Sequence, residues 1–204
     1  MRGVTREVLF GEDWNRNGVL DPVENDAADR EPPDNADGRL EHGLYAFTTV
    51  YSREPNVSPT GNPKINLNTA APSDIARELG TFLEEDRVAT LVTTVSSRPF
   101  ASVLDYLIRA GAAADEAFEI ESRFTTTNSQ MRVGLIDVTT APARVLDALP
   151  GLEPGDGELI VAARGSANDD GLLWLVDAIG EEKARAIADR LTTHSYQYTA
   201  DIVA

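Results

Sequence analysis

The sequence has no cysteine among its 204 residues, which excludes disulfides, zinc–thiolate sites and thiol nucleophiles together. Histidine is nearly absent as well: His42 and His194 stand far apart and without motif context. No HExxH, GxSxG or phosphate-cradling glycine loop occurs. Carboxylates are numerous, but nothing in their spacing singles out a catalytic pair, so the chain is expected to be non-enzymatic. Long apolar runs are missing too. None approaches the ~20 residues needed to span a bilayer, and the opening Met1-Arg2-Gly3-Val4-Thr5-Arg6 lacks the apolar core of a signal peptide. As written, the chain is expected to be soluble.

Cations are scarce: 18 Lys plus Arg face 34 Asp plus Glu, for a formal net charge of -16. Such a surface repels phosphate backbones, because nucleic-acid affinity depends on cations that displace condensed counterions. It is compatible with metal cations, with a basic protein partner, or simply with solubility. The hydrophobic fraction, 42%, is that of ordinary globular proteins, and the length suits one large domain or two small ones.

Composition separates four zones. Residues 1–62 are rich in Asp, Asn, Pro and Gly; one apolar stretch, residues 44–51, has the β-branched and aromatic content of a strand. Residues 54–63 read as a turn-rich linker. Residues 64–114 are predicted helical, with Ile75, Leu79, Phe82 and Leu83, then Val103, Leu104, Leu107 and Ile108, at helical spacing. In 115–134, the alternation of Phe118, Ile120 and Phe124 predicts a short strand, followed by a polar loop over 125–129. Residues 135–191 are predicted helical again, and 192–204 suit a closing strand. The two helical zones, about 63–114 and 135–191, echo one another: Ile65-Asn66-Leu67-Asn68-Thr69-Ala70-Ala71-Pro72 resembles Ile136-Asp137-Val138-Thr139-Thr140-Ala141-Pro142. In each, a Thr is placed to cap the next helix and a Pro to occupy its first turn.

The sharpest motif is Asp13-Trp14-Asn15-Arg16-Asn17-Gly18-Val19-Leu20-Asp21-Pro22-Val23-Glu24, which matches the twelve-residue EF-hand loop at every liganding position. Asp13, Asn15 and Asn17 supply side-chain oxygens, Val19 its backbone carbonyl, Asp21 the ninth position and Glu24 a closing bidentate carboxylate. Gly18 permits the turn, and Leu20 is the apolar anchor. This spacing wraps oxygens round one point, as a hard cation such as Ca2+ requires. Pro22 inside the loop and Asn25-Asp26 after it argue against flanking helices, so an isolated or dockerin-like loop is expected. A second acidic segment, residues 34–41, copies the middle of the loop. It has Pro33 in place of the first ligand and Leu44 in place of the last; it is either a turn or lends Asp34 or Asp37 to an ion.

Leu146-Asp147-Ala148-Leu149-Pro150-Gly151-Leu152 followed by residues 158–163 looks like a helix–hairpin–helix, and residues 172–188 hold another, with Gly180 between its helices. In DNA-binding versions, amides of the hairpin meet a phosphate. Here Glu153, Asp156 and Glu158 sit at that place, so no nucleic-acid partner is expected and the hairpin reads as a packing element.

Taken together, these residues resemble the type II secretion system protein K family, the large minor pseudopilin. The resemblance covers nearly the whole chain. It rests on Leu9-Phe10-Gly11-Glu12-Asp13 leading into the calcium loop, and on Tyr51-Ser52-Arg53-Glu54-Pro55-Asn56. It also rests on Ile65-Asn66-Leu67-Asn68-Thr69-Ala70, on Gly134-Leu135-Ile136-Asp137-Val138, and on the run from Ala141-Pro142 to Leu149-Pro150-Gly151. It implies an α+β fold: a pilin-like α/β body formed by 1–62 and 192–204, with a large helical domain inserted over 63–191. It implies calcium sites, assembly with other minor pseudopilins at the tip of a periplasmic pseudopilus, and no small-molecule substrate. The family's N-terminal hydrophobic helix, its anchor on the periplasmic face of the inner membrane, is absent from this sequence. Asp137-Val138-Thr139 also departs from the family's Asn-rich run. A helix–hairpin–helix nucleic-acid binder and a free-standing calcium-binding scaffold module are the alternative readings.

Overall fold

Thr5 opens the first helix, α1 (Arg6–Phe10), by accepting the Val8 N–H at 3.2 Å, one of the amides that the helix start leaves without an internal partner. The computed structural model describes residues 5–27, 29–49, 51–166 and 171–195, and the chain divides into two units between Tyr51 and Ser52. Short helices and two-stranded sheets are mixed, compatible with an α+β class.

In the first unit, α1 ends at Gly11 (φ 62°), whose backbone bridges antiparallel to His42, and the Glu12 N–H donates to the Glu41 carbonyl at 2.9 Å. The two backbones touch at Gly11 and Gly43, where a Cβ on either would collide with main-chain atoms of the other segment. The predicted strand over residues 44–51 is not formed. Leu44–Phe47 is a 3-10 helix, with the Thr48 hydroxyl donating to the Leu44 carbonyl at 2.8 Å. β-Branched and aromatic content favours a strand only where a partner strand packs beside it. None does so here among the described residues, and Tyr45 packs its ring on Phe10 instead, at 5.6 Å.

The second unit begins with β1 (Arg53–Pro55), which pairs antiparallel with a later strand, so residues 54–56 of the expected linker belong to the helical unit. Asn56 holds this clip, donating from Nδ2 to the carbonyls of Thr127 and Ser129 at 3.3 and 2.9 Å. Two repeats follow. The first runs β2 (Ile65–Asn66), α2 (Pro72–Leu79), α3 (Glu85–Thr93), α4 (Val103–Ala110), α5 (Ala114–Arg123) and β3 (Phe124–Thr125). After β4 (Met131–Val133), the partner of β1, the second runs β5 (Ile136–Asp137), α6 (Ala143–Leu146), α7 (Asp156–Ala163), α8 (Leu175–Ile179), α9 (Glu181–Ile187) and β6 (Leu191–Thr192). Each repeat closes on itself by pairing its first strand parallel to its last: Ile65 with Phe124, and Ile136 with Leu191. The hydrogen bonds correspond as well. Leu67 N donates to Thr125 O at 2.8 Å and Val138 N to Thr192 O at 2.9 Å, while Ala70 N and Ala141 N reach back to Asn66 O and Asp137 O at 2.9 Å each. The echo in the sequence is therefore a duplicated fold.

Several local expectations are corrected. Thr69 and Thr140 do not cap helices: the N-caps of α2 and α6 are Ala71 and Pro142, without side-chain bonds, and only Pro72 lies inside a first turn. Instead, Asn66 and Asp137 turn the chain, their side chains accepting the N–H of Asn68 (2.8 Å) and Thr139 (2.9 Å). Phe118 and Ile120 lie in α5, not in a strand; Ala117, Ile120 and Phe124 form the buried face and Phe118 is partly exposed. Their separations of three and four residues are helical, and the Phe118–Ile120 alternation was incidental. Thr192 belongs to the second repeat's own sheet, and residues 196–204 of the expected closing strand lie outside the described residues. Gly180 (φ 85°) both ends α8 and starts α9, with Glu181 and Glu182 in the first turn.

Corresponding positions fill the two cores: Leu67 and Val138, Ile75 and Leu146, Leu91 and Ile160, Ile120 and Ile187, Phe124 and Leu191 are all buried. Leu104 of the first repeat packs into the second core, and Leu173 touches both. Asp105, buried beneath this seam, accepts from Arg109 within its own helix and from Arg185 of α9.

Candidate calcium site

Residues 13–24 fold as a chain of Asx turns, because an Asp or Asn side chain two residues before an amide can close the same ring a backbone turn does. Asn15 Oδ1 accepts the Asn17 N–H at 2.9 Å, and Asn17 Oδ1 accepts the Val19 N–H at 2.8 Å. Asp13 takes the amides of Asn17 and Gly18 on its two oxygens, both at 3.0 Å. Arg16 (φ 61°) and Gly18 (φ 67°) adopt left-handed backbone, which lets the loop coil back on itself. The amide groups of Asn15 and Asn17 both donate to Asp21 Oδ2, at 2.7 and 3.0 Å. Pro22–Glu24 is a 3-10 turn, and Glu24 reaches back so that Oε2 accepts the Asp21 N–H at 3.1 Å. The expected ligands Asp13, Asn15, Asn17, Asp21 and Glu24 are thus linked directly or through one another, and Val19 lies on the same coil.

The electrostatics are those of an anion held among anions. Glu24 is only 2% exposed. Burial, then the charges of Asp13 and Asp21, raise its pKa above the ordinary glutamate value, opposed by the backbone N–H groups of Asp21 and Trp14. The nearby cations are turned elsewhere: the Arg6 guanidinium lies 4.1 Å from the Trp14 ring, and Arg16 lies over Tyr45 at 5.6 Å. Among the described residues of 5–51, the buried ones are Glu12, Asp13, Glu24 and Pro32, with no Leu, Ile, Val, Met, Ala or aromatic residue. Among the described residues, no group of three or more His, Asp or Glu stands close enough to hold a metal by carboxylates and imidazoles alone. Asp13, Asp21 and Glu24 do not form such a group here; the donor set expected of the loop adds to them two amide oxygens and a carbonyl. Those are hard oxygens, the chemistry that suits Ca2+.

The second acidic segment is organised as a turn. Asp34 accepts the amides of Asp26 (3.1 Å), Ala27 (3.0 Å) and Ala36 (2.8 Å), and Asp37 accepts that of Arg39 at 2.8 Å. Glu12, missed in the sequence reading, joins the two segments, accepting from Asn35 N at 3.3 Å and Glu41 N at 3.1 Å. The carboxylate next to the first ligand was the available signal, but only the fold brings residues 35 and 41 to it.

At the hairpin of the second repeat, Asp156 Oδ2 accepts the Glu153 N–H at 2.7 Å, and Lys183 Nζ bonds Asp156 and Glu153 at 3.0 and 2.8 Å. The Glu153 amide, then Lys183, hold the Asp156 carboxyl below its usual pKa. An internal carboxylate therefore sits where a phosphate would dock on a DNA-binding hairpin. The sequence reading also missed a second charged constellation, Glu54, Lys64, Glu121 and Arg132, which lines a cavity in the helical unit. Its members are scattered over nearly eighty positions, so no local pattern announces it. Among the described residues, no helix is long and apolar enough to cross a membrane. No family model, curated protein or solved structure matches the chain.

Proposed function

We propose that this protein is a non-enzymatic assembly subunit of the minor pseudopilin type, stabilised by calcium at its N-terminal loop. On this reading it joins other minor pseudopilins at the tip of a type II secretion pseudopilus, on the periplasmic face of the inner membrane. Residues 5–51 contribute to a pilin-like body, and the duplicated helical unit is the insertion that the family resemblance implies. The observation that carries the reading is the combination of a carboxylate-centred loop unit with a tandem helical unit whose repeats open on Ile65-Asn66-Leu67-Asn68-Thr69-Ala70 and Ile136-Asp137-Val138-Thr139-Thr140-Ala141. Carboxylates buried together without a cationic side chain are costly, and a divalent ion would replace their lost hydration. The occupied hairpin at Asp156 and the net charge of -16 speak for a protein partner over a nucleic acid.

The test is co-expression with the partner minor pseudopilins of the same organism, followed by size-exclusion chromatography in millimolar calcium or in excess chelator. A calcium-dependent complex is expected. Elution as a separate species in calcium would sink the tip assignment, and a salt-sensitive shift of duplex DNA would favour the nucleic-acid alternative.

A further inference from the structure

A cavity of about 370 Å³ opens where the two helical repeats meet, within the size range of small-molecule sites. Its wall is unusual in charge. Glu54 and Arg132 oppose one another across the β1–β4 pair, and Lys64, Glu121, Asp189 and His194 line the cavity beside them. Among the described residues no ion pair within 4 Å joins any two of Glu54, Lys64, Glu121 and Arg132. Lys64 Nζ donates to the backbone carbonyl of Glu121 at 2.8 Å, leaving its other donors uncommitted, and Arg132 Nη2 makes a long contact of 3.4 Å to the Asp189 carbonyl. The Glu121 carboxylate already holds the Leu172 N–H, at 2.9 Å to its nearer oxygen. Glu54 differs from the others: it is 8% exposed, and its Oε2 is buried with no hydrogen-bond partner. A carboxylate oxygen buried without a donor is rare in a folded protein and marks a place where a donor belongs.

The rest of the wall is divided. Thr125, Thr127 and Thr192 present hydroxyls, each already accepting one backbone amide, from Thr127, Ser129 and His194 respectively, and so able to donate outward. Phe118, Phe124 and Leu172 give an apolar side. An unsatisfied anion beside two incompletely used cations and an apolar wall is complementary to one ligand class.

We infer that this cavity binds a small zwitterion of amino-acid type, its ammonium on Glu54, its carboxylate on Lys64 and Arg132, and its apolar side chain against Phe124 and Leu172. The shared chemistry, an ammonium and a carboxylate on one short frame, is supplied either by a free α-amino acid or by a dipeptide. The inference goes beyond the assembly reading and does not depend on it, and it departs from the expectation of no small-molecule partner. Because the wall draws on both repeats, a bound ligand would tie them together.

The test is calorimetric titration of the full chain with leucine, phenylalanine and leucyl-leucine, alongside N-acetyl-leucine, which lacks the ammonium, and leucinamide, which lacks the carboxylate. Saturable binding of a zwitterion is expected, weakened at least ten-fold by either blocking group. Preference for leucyl-leucine over leucine identifies the dipeptide as the source. Glu54→Gln is expected to weaken leucine binding to the level of N-acetyl-leucine; the blocked ligands carry the same test should that variant fail to fold. Absence of binding by all three zwitterions, or equal binding of leucine and N-acetyl-leucine, overturns the proposal and leaves a water-filled seam.

Discussion

The two units of this chain differ in whether an apolar core is buried at all. In residues 5–51, three of the four buried described residues are carboxylates; in the helical unit, two clusters of Leu, Ile, Val, Ala and aromatic residues are shielded from water. Burial of apolar surface stabilises by itself, at about 25 cal/mol per Å², whereas burial of like charges does so only with a counter-charge. A unit of the first kind would gain stability from a bound counter-charge, whereas one of the second kind depends on how well it is packed.

The comparison is broken most severely from the apolar side. Leu91, fully buried at the centre of the first repeat, is expected to cost about 2–5 kcal/mol on replacement by alanine. Chemical denaturation should show that loss in the helical unit, while calcium affinity stays as in the parent; a parallel loss of calcium binding would show that the units do not behave separately. Calcium is expected to act in reverse. At ~100 times its dissociation constant it adds about 2.7 kcal/mol to the unit that binds it. Proteolysis should therefore cut residues 5–51 in chelator and spare them in calcium, leaving the helical unit intact in both. Glu24→Ala removes the closing carboxylate and should abolish the difference; an unchanged affinity in that variant places the ion elsewhere.

A smaller effect sharpens the contrast within the helical unit. Burial, outweighing the Leu172 N–H and the charges of Lys64 and Arg132, pushes the Glu121 pKa up to about 7 from 4.5. A raised carboxyl pKa contributes stability that is present in full below about 4.5 and is lost as pH rises through about 7. The loss is about 2 kcal/mol, given the partly solvated cavity. Thermal melts of the helical unit across that window should fall in the parent and flatten in Glu121→Gln. Identical slopes in both would assign the pH dependence to other groups.

How much was legible depends on the range over which the physics acts. The turns of residues 13–24 are local, since each of their hydrogen bonds spans six residues or fewer. The repeat was legible because Asn66 and Asp137, like Leu67 and Val138, play the same local parts twice. Residues 44–51 misled because strand propensity records suitability for a sheet, and only the approach of Gly11 to Gly43 decides whether a sheet is there. Residues 54–56 read as part of a linker because their partners lie more than seventy positions away.

By itself, then, the sequence determined the Asx-rich spacing of 13–24 and the helical periodicity of two related segments, because each follows from neighbours along the chain, and the excess of acid over base, which is composition alone. The tertiary structure alone decided that Glu12 and Glu24 are buried, that each repeat closes through a parallel strand pair, and that Glu54, Lys64, Glu121 and Arg132 face one cavity. Burial and long-range pairing are properties of a packed chain, and charges far apart in sequence acquire a common environment only when folding removes the water between them.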